Sequence, residues 1–271
     1  MALVARGFQL VPSWSRMSVP DRGALEDLAT RAGAIALRHF RCATPERKAD
    51  RTLVTAADRE VEAFLVDELQ TLWPEAGIVG EEGAARAGSG PYRVAIDPVD
   101  GTSAFVAGLP TWCVCLGVLR YGEPVAGVVH LPVSAETYSA TDGQAWWNRS
   151  ALPRLGSEAG QGDPFVLVDA KSHRRQAIRY EGKLRSLGSS AYHIALVARG
   201  VAEATLVGRA HLWDLAAPTA VLTAVGGRLG LLDGGAVDLG ELVDGRRTSD
   251  YVVAAATDRF ELLRSQLGGR A

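Results

Sequence analysis

The 271-residue chain has little lysine, three residues (Lys48, Lys171, Lys183) among 29 basic ones, and little sulfur, three cysteines and two methionines. It has no apolar run of the roughly 18 residues that a membrane-spanning helix needs. It also lacks excess positive charge: 29 basic against 31 acidic residues leave a net charge of -2, which argues against a nucleic acid polymer as partner. Three cysteines cannot build a disulfide framework, and no second Cys or His pair follows Cys113 and Cys115 at zinc spacing. Two apart on a strand, these two would share a face, as reduced, packed thiols of a cytoplasmic protein. The 30 glycines and 12 prolines have no fixed period, which excludes collagen-like and low-complexity chains. What is present is ordinary globular material, 47% hydrophobic and 22% charged, in a length that suits one large core or two packed ones.

Residues 1–17 carry an apolar stretch, Gly7 to Pro12, too short for a signal core and without a cleavage site. They read as a poorly ordered extension, or as the result of a start placed ahead of Met17. A half spanning 18–160 begins with two helical patterns. One starts at Ser18-Val19-Pro20-Asp21 with Ser18 as cap. The other starts at Thr55-Ala56-Ala57-Asp58 and stops at Trp73-Pro74. They are expected to pair as an antiparallel hairpin. Strands follow at 92–96, 112–120 and 125–131, the last two joined as a hairpin. The half spanning 161–271 alternates strand and helix: strands at 165–168, 204–207 and 251–255, helices at 190–201, 214–225 and 257–267. The fold expected is α+β, a layered sandwich with its ligand cleft between the halves.

Chemistry concentrates in Asp97-Pro98-Val99-Asp100-Gly101-Thr102. Pro98 pushes Asp97 towards extended geometry, which puts Asp97 at a strand end and Asp100 on the turn beyond. Converging carboxylates repel one another and are costly to bury. A hard divalent cation removes that repulsion, and Mg²⁺ takes a few carboxylates together with phosphate oxygens. An ordinary Asx turn with a helix cap explains the same residues. Gly80-Glu81-Glu82-Gly83 reads alone as a solvated turn, and Asp58 and Asp214 read alone as helix-start acids.

Taken together and in order, these segments resemble the inositol monophosphatase superfamily of Mg²⁺-dependent, lithium-sensitive phosphatases. The D-P-[IV]-D-G-T signature matches residues 97–102. W-D-x-A-A matches Trp213-Asp214-Leu215-Ala216-Ala217, and G-E-E and T-A-x-D match 80–82 and 55–58. Gly188-Ser189-Ser190-Ala191 looks like the G-[ST]-A-A loop, and Asp142-Gly143 to Asn148 looks like a further turn motif, imperfectly. The resemblance implies an α-β-α-β-α sandwich and two to three Mg²⁺ per site. Glu81, Asp97 and the Val99 carbonyl would hold the first ion, and Asp97, Asp100 and Asp214 the second. Glu81 would reach a weaker third through water. Asp58 and Thr102 would orient and activate the attacking water, and Gly101 and Thr102 N–H groups would cradle the phosphate. Gly188, Ser189 and Ser190 would border the substrate. A homodimer is implied by resemblance alone.

Three positions depart from the pattern. Val207 stands seven residues before Asp214, where inositol-selective members usually carry an acid that accepts polyol hydroxyls, and valine accepts nothing. Pro218 follows Ala217, slightly late for the first turn of a helix. Ser190 replaces an alanine. Arg209 and His211, near the lost acid, are either solvated or placed to meet an acidic or aromatic substrate. No lysine falls in a motif. The expected activity is hydrolysis of a small phosphorylated metabolite of the inositol 1-phosphate class by a metal-activated water. Histidinol phosphate, fructose 1,6-bisphosphate and 3'(2'),5'-bisphosphate nucleotides are alternatives, and a non-catalytic regulatory relative is a more distant one.

Overall fold

The computed structural model describes residues 21–48, 52–156, 163–174 and 176–268. The expected extension at 1–17 and the Ser18 cap lie outside these. Helix α1 (Arg22–His39) begins instead on Asp21, whose carboxylate accepts the Gly23 N–H at 2.7 Å. After the short pair β1 (Glu46–Arg47) and β2 (Leu53–Val54) comes α2 (Ala56–Leu72), with Thr55 and Asp58 forming the expected capping box. The two helices run antiparallel: Arg31 pairs with Glu68, and further along α1 Arg38 pairs with the earlier Glu60. Both lay apolar faces (Leu25, Leu28, Ala32 and Val61, Leu65, Leu69) on the first sheet.

That sheet contains β3 (Gly77–Gly80), β4 (Ala85–Arg86), β5 (Tyr92–Asp100), β6 (Cys113–Arg120), β7 (Glu123–Leu131), β8 (Glu136–Thr141), β9 (Gln144–Trp147) and β10 (Ser150–Ala151), with α3 (Thr102–Val106) between β5 and β6. Its order is β10-β9-β8-β7-β6-β5-β3-β4. Only the β3–β5 pairing is parallel. The expected hairpin turns at Tyr121-Gly122, both at positive φ (53° and 88°), the geometry that matches strand twist. Asp142-Gly143 (51° and 73°) makes a second such turn, between β8 and β9.

The second sheet is mixed. Strands β11 (Phe165–Val168), β12 (Lys183–Arg185), β13 (Ala204–Val207), β14 (Gly227–Leu231) and β15 (Val252–Ala256) lie in the order β12-β11-β13-β15-β14. Helices α4 (Ser190–Ala198) and α5 (Leu212–Ala224) fill the space between the sheets, and α6 (Phe260–Leu267) covers the outer face. The layers are therefore α1α2, sheet, α4α5, sheet, α6, the five-layer sandwich expected.

Alternation divides the β6 side chains between two cores. Val114, Leu116 and Val118 face α1 and α2, while Cys113, Cys115 and Leu119 face α4 and α5. Gly117 pairs with Gly127 across β6 and β7 on the α5 side. A Cβ on Gly117 would lie 2.4 Å from the Ala216 Cβ, and one on Gly127 would lie 2.6 Å from the Ala217 carbonyl oxygen. Helix α5 is thus seated directly on sheet backbone, which only glycine permits here. Pro218 falls later in α5 than the slight lateness expected, because the helix begins at Leu212 and not at Asp214. It is the seventh residue of the helix, buried, with no N–H to return to the Asp214 carbonyl.

Candidate active site

Four chain segments meet at one end of the first sheet. Strands β3 and β5 run parallel, Gly80 at the end of β3 lies opposite Ile96, and the Glu81 N–H continues the ladder to the Ile96 carbonyl at 3.2 Å. Glu81 and Asp97 are therefore neighbours because neighbouring strands deliver them. The strand does not stop at Asp97, as Pro98 suggested, but runs on to Asp100 through an irregularity. Asp97 is opposite Cys115 and Asp100 is opposite Cys113, three steps against two. Residues three apart on a regular strand face opposite ways. The one extra residue of the bulge restores the parity and turns both aspartates to one side.

Gly101 then turns the chain into α3 at φ 95°. A Cβ there would lie 3.1 Å from the Gly188 carbonyl oxygen and 3.2 Å from the Ser189 Cβ, so the loop before α4 closes directly onto this turn. Asp100 fastens the closure. Its Oδ2 accepts the Ser189 hydroxyl and, at 2.8 Å, the Ala191 N–H. Ser189 also caps α4 through the Tyr192 N–H at 3.1 Å. Buried His193, its pKa lowered to about 4 by burial, is neutral and accepts the Leu187 N–H at 2.9 Å. Gly188 lines the cleft. Ser189 is buried and turned to Asp100, so its hydroxyl positions a carboxylate instead of meeting a substrate.

From the other side, α5 brings Asp214 in its first turn, held by the His211 N–H at 2.7 Å. Oxygens of Asp97, Asp100 and Asp214 lie within 4.8 Å of one another. Burial and mutual repulsion disfavour their charged forms. Asp97 is held well above the ordinary carboxylate range by burial and then by Glu81, and Asp214 is pushed to about 8 by burial and then by Asp100 and Glu81. Burial also raises Glu81, to about 7, against the pull of Lys48. An all-oxygen cluster of carboxylates that resist ionisation together fits a hard divalent cation.

Sequence reasoning missed two participants. Lys48 Nζ pairs with Glu81 at 3.0 Å and with Glu82 at 2.7 Å, so one of the few lysines is at the site after all. Nothing in its local sequence marks it, because the contact crosses more than 30 residues. Glu62, buried on α2, accepts the Glu82 N–H at 2.9 Å and the Ala84 N–H at 2.8 Å and so pins the acidic loop. Its signal was an acid one turn after Asp58 on the inner half of a helix. Asp58 is itself fully buried. Its Oδ2 accepts the Thr55 N–H and hydroxyl at 2.7 and 2.6 Å, while Oδ1 has no partner among the described residues. Thr102 donates its hydroxyl to the Val99 carbonyl at 3.2 Å.

The cleft above these groups is about 860 Å³, large enough for a small metabolite. Glu81, Asp97, Val99, Asp100, Gly101, Thr102, Gly188 and Asp214 line it, with Arg47, Lys171, Arg209 and Arg247 also on its walls.

Comparison with known proteins agrees with this geometry. Residues 20–264 match the sequence model of the inositol monophosphatase family. A fructose-1,6-bisphosphatase/inositol-1-monophosphatase of Thermotoga maritima is 32% identical over 183 residues, 65% of this chain and 70% of that one. The 3'(2'),5'-bisphosphate nucleotidase CysQ of Escherichia coli K12 is 32% identical over 190 residues, 66% of this chain and 76% of that one. Among solved structures, the extragenic suppressor protein suhB of Bartonella henselae superposes with a TM-score of 0.78 at 23% identity, covering 90% of this chain and 97% of that one. An IMPase of Thermotoga maritima gives 0.75 at 24%, covering 89% and 94%.

Proposed function

The chain belongs to the inositol monophosphatase family, and from that membership we propose that it is a Mg²⁺-dependent phosphomonoesterase for a small phosphorylated metabolite. The observation that carries this reading is the convergence of Asp97, Asp100 and Asp214, delivered by a strand bulge and by a helix seated between the two sheets. In this proposal these three, with Glu81 and the Val99 carbonyl, hold two to three Mg²⁺, which supply the positive charge that the phosphoryl oxygens and the attacking water require. Asp58 and Thr102 place the water: Asp58 offers Oδ1 as acceptor, its other oxygen being fixed by Thr55. The N–H groups at the start of α3, which have no helical partner there, receive the phosphate. Ser189 keeps Asp100 in place. By family resemblance the active form is a cytoplasmic homodimer, which sedimentation of the purified protein tests.

Phosphate release from inositol 1-phosphate, histidinol phosphate, fructose 1,6-bisphosphate and 3'-phosphoadenosine 5'-phosphate, with Mg²⁺ and with EDTA, tests the reading. At least one compound is turned over, and chelation abolishes it. Turnover indifferent to chelation overturns the metal requirement, and turnover of none of the four, together with association with a protein partner, favours a regulatory relative.

A pH dependence follows from the same carboxylates. Unfolded, Glu81 and Asp214 titrate near 4, whereas folded and metal-free they titrate at about 7 and about 8. Their contribution to stability is therefore greatest at low pH and is lost as pH rises through those folded values. Mg²⁺ binds the ionised forms and opposes the loss. The melting temperature in EDTA is expected to fall from about pH 4 to about pH 8, between the unfolded and folded values, and to level off above, while the rise produced by Mg²⁺ grows as pH approaches the folded values. A Mg²⁺ effect that does not change with pH would contradict the assignment of these carboxylates as ligands.

A further inference from the structure

The cleft has a second, basic region. Arg209 and Arg247 line it and also line an adjoining cavity of about 390 Å³ bounded by Leu231, Val237, Leu242, Asp238 and Glu241, so both residues stand where the two spaces adjoin. Their placement is built in. Thr248 gives its N–H to the Ala210 carbonyl at 2.9 Å and takes the Ala210 N–H on its hydroxyl at 3.1 Å. That stitch holds together two segments in which Arg209 and Arg247 are each one residue from a stitched position. Arg209 Nε is fixed on the Thr248 carbonyl at 2.7 Å, which sets the plane of its fork. His211 braces the same segment, donating from Nδ1 to the Gly245 carbonyl at 2.9 Å and stacking on Trp213.

Val207, two residues before Arg209, is almost fully buried and offers no acceptor to a hydroxyl-rich substrate. Guanidinium forks match carboxylate or phosphate oxygens in pairs, and a neutral hydroxyl is a poor substitute. We infer that Arg209 and Arg247 form a subsite for a second anionic group on the leaving-group side of the substrate. The chain would thus act on a small metabolite bearing a phosphate ester and a further phosphate or carboxylate, and not on the monophosphate of a neutral polyol. This rests on the phosphatase reading above and sharpens it.

Two matched pairs of compounds test it, each differing in the distal anion: fructose 1,6-bisphosphate against fructose 1-phosphate, and 3-phosphoglycerate against glycerol 1-phosphate. Phosphate release with Mg²⁺ is measured for the wild type, Arg209→Ala, Arg247→Ala, and Arg149→Ala as a charge-loss control away from the cleft. Binding of all four compounds is measured by calorimetry in parallel. The wild type is expected to prefer the doubly anionic member of at least one pair by about tenfold or more in kcat/KM and in affinity, since a lost charge-assisted contact costs about that much. Which pair shows it separates phosphate from carboxylate. Each cleft variant erodes that preference mainly through KM, and Arg149→Ala keeps it. Equal handling of both members by the wild type, or a preference intact in both cleft variants, overturns the subsite while leaving the phosphatase reading standing. Arginine-dependent binding without phosphate release does the reverse, and neither release nor arginine-dependent binding overturns both.

Discussion

Asp97→Asn is expected to lower kcat by at least about a hundredfold while raising the melting temperature of the metal-free protein. The two effects have one cause. Asp97 is buried against Glu81, Asp100 and Asp214, and burial first and then those charges hold it well above the ordinary carboxylate range. Replacing it with an isosteric neutral amide keeps the acceptor that takes the Val99 N–H at 3.1 Å and removes one member of a repelling set. The fold gains what the site loses, because negative charge concentrated there is tolerated for its use and not for stability. Steady-state phosphate release, with calorimetric melts in EDTA and in Mg²⁺, checks both halves. Near-normal turnover would remove Asp97 from the catalytic set, and a lowered metal-free melting temperature would mean that the loss of rate reports damage to the fold.

Gly117→Ala should cost about 1–3 kcal/mol or more, the usual range for overpacking, and so lower the melting temperature by roughly 3–10 °C. It should also slow turnover at least about tenfold, although residue 117 does not line the cleft. A methyl at that position would be placed 2.4 Å from the Ala216 Cβ and 2.5 Å from the Ala217 backbone nitrogen. Sheet backbone cannot yield without breaking the β6 ladder, so α5 must lift, and Asp214 lifts with it. Melting curves and kinetics of Gly117→Ala, and of the same change combined with Ala216→Gly, follow the argument. The second change frees the nearest atom and should restore part of both losses. A single variant that melts like the wild type would show that α5 is not seated on that strand as described.

The acidic residues were legible in the sequence because each motif is short and local, whereas the way they converge was not. Pro98 argued correctly against a helix but pointed to a strand ending at Asp97. The bulge that turns Asp97 and Asp100 the same way depends on pairing with β6, which no local pattern encodes. Thr55 and Asp58 were read correctly as a capping box, since capping chemistry spans four residues. Lys48 and Glu62 escaped notice because their partners lie 20 to 34 residues away. Ser189 was placed with the substrate by the likeness of its loop to the family's motif, and its hydroxyl bond to Asp100 is a contact across 89 residues that the loop does not announce. Strands β8 and β9 were missed although Asp142-Gly143 is a strong hairpin signal, attention having gone to its likeness to a motif. Helical and strand periodicities gave a layered sandwich, and the count of five layers came from the family resemblance.

The short interval between the end of β13 at Val207 and the start of α5 at Leu212 divides labour within a few residues. Downstream of it, Asp214 rides on a helix bedded against two glycines and has no latitude. Upstream, the exposed side chain of Arg209 can be exchanged while the His211 backbone N–H still holds Asp214. A lineage built this way can change what it eats while keeping how it cuts, one loop residue at a time.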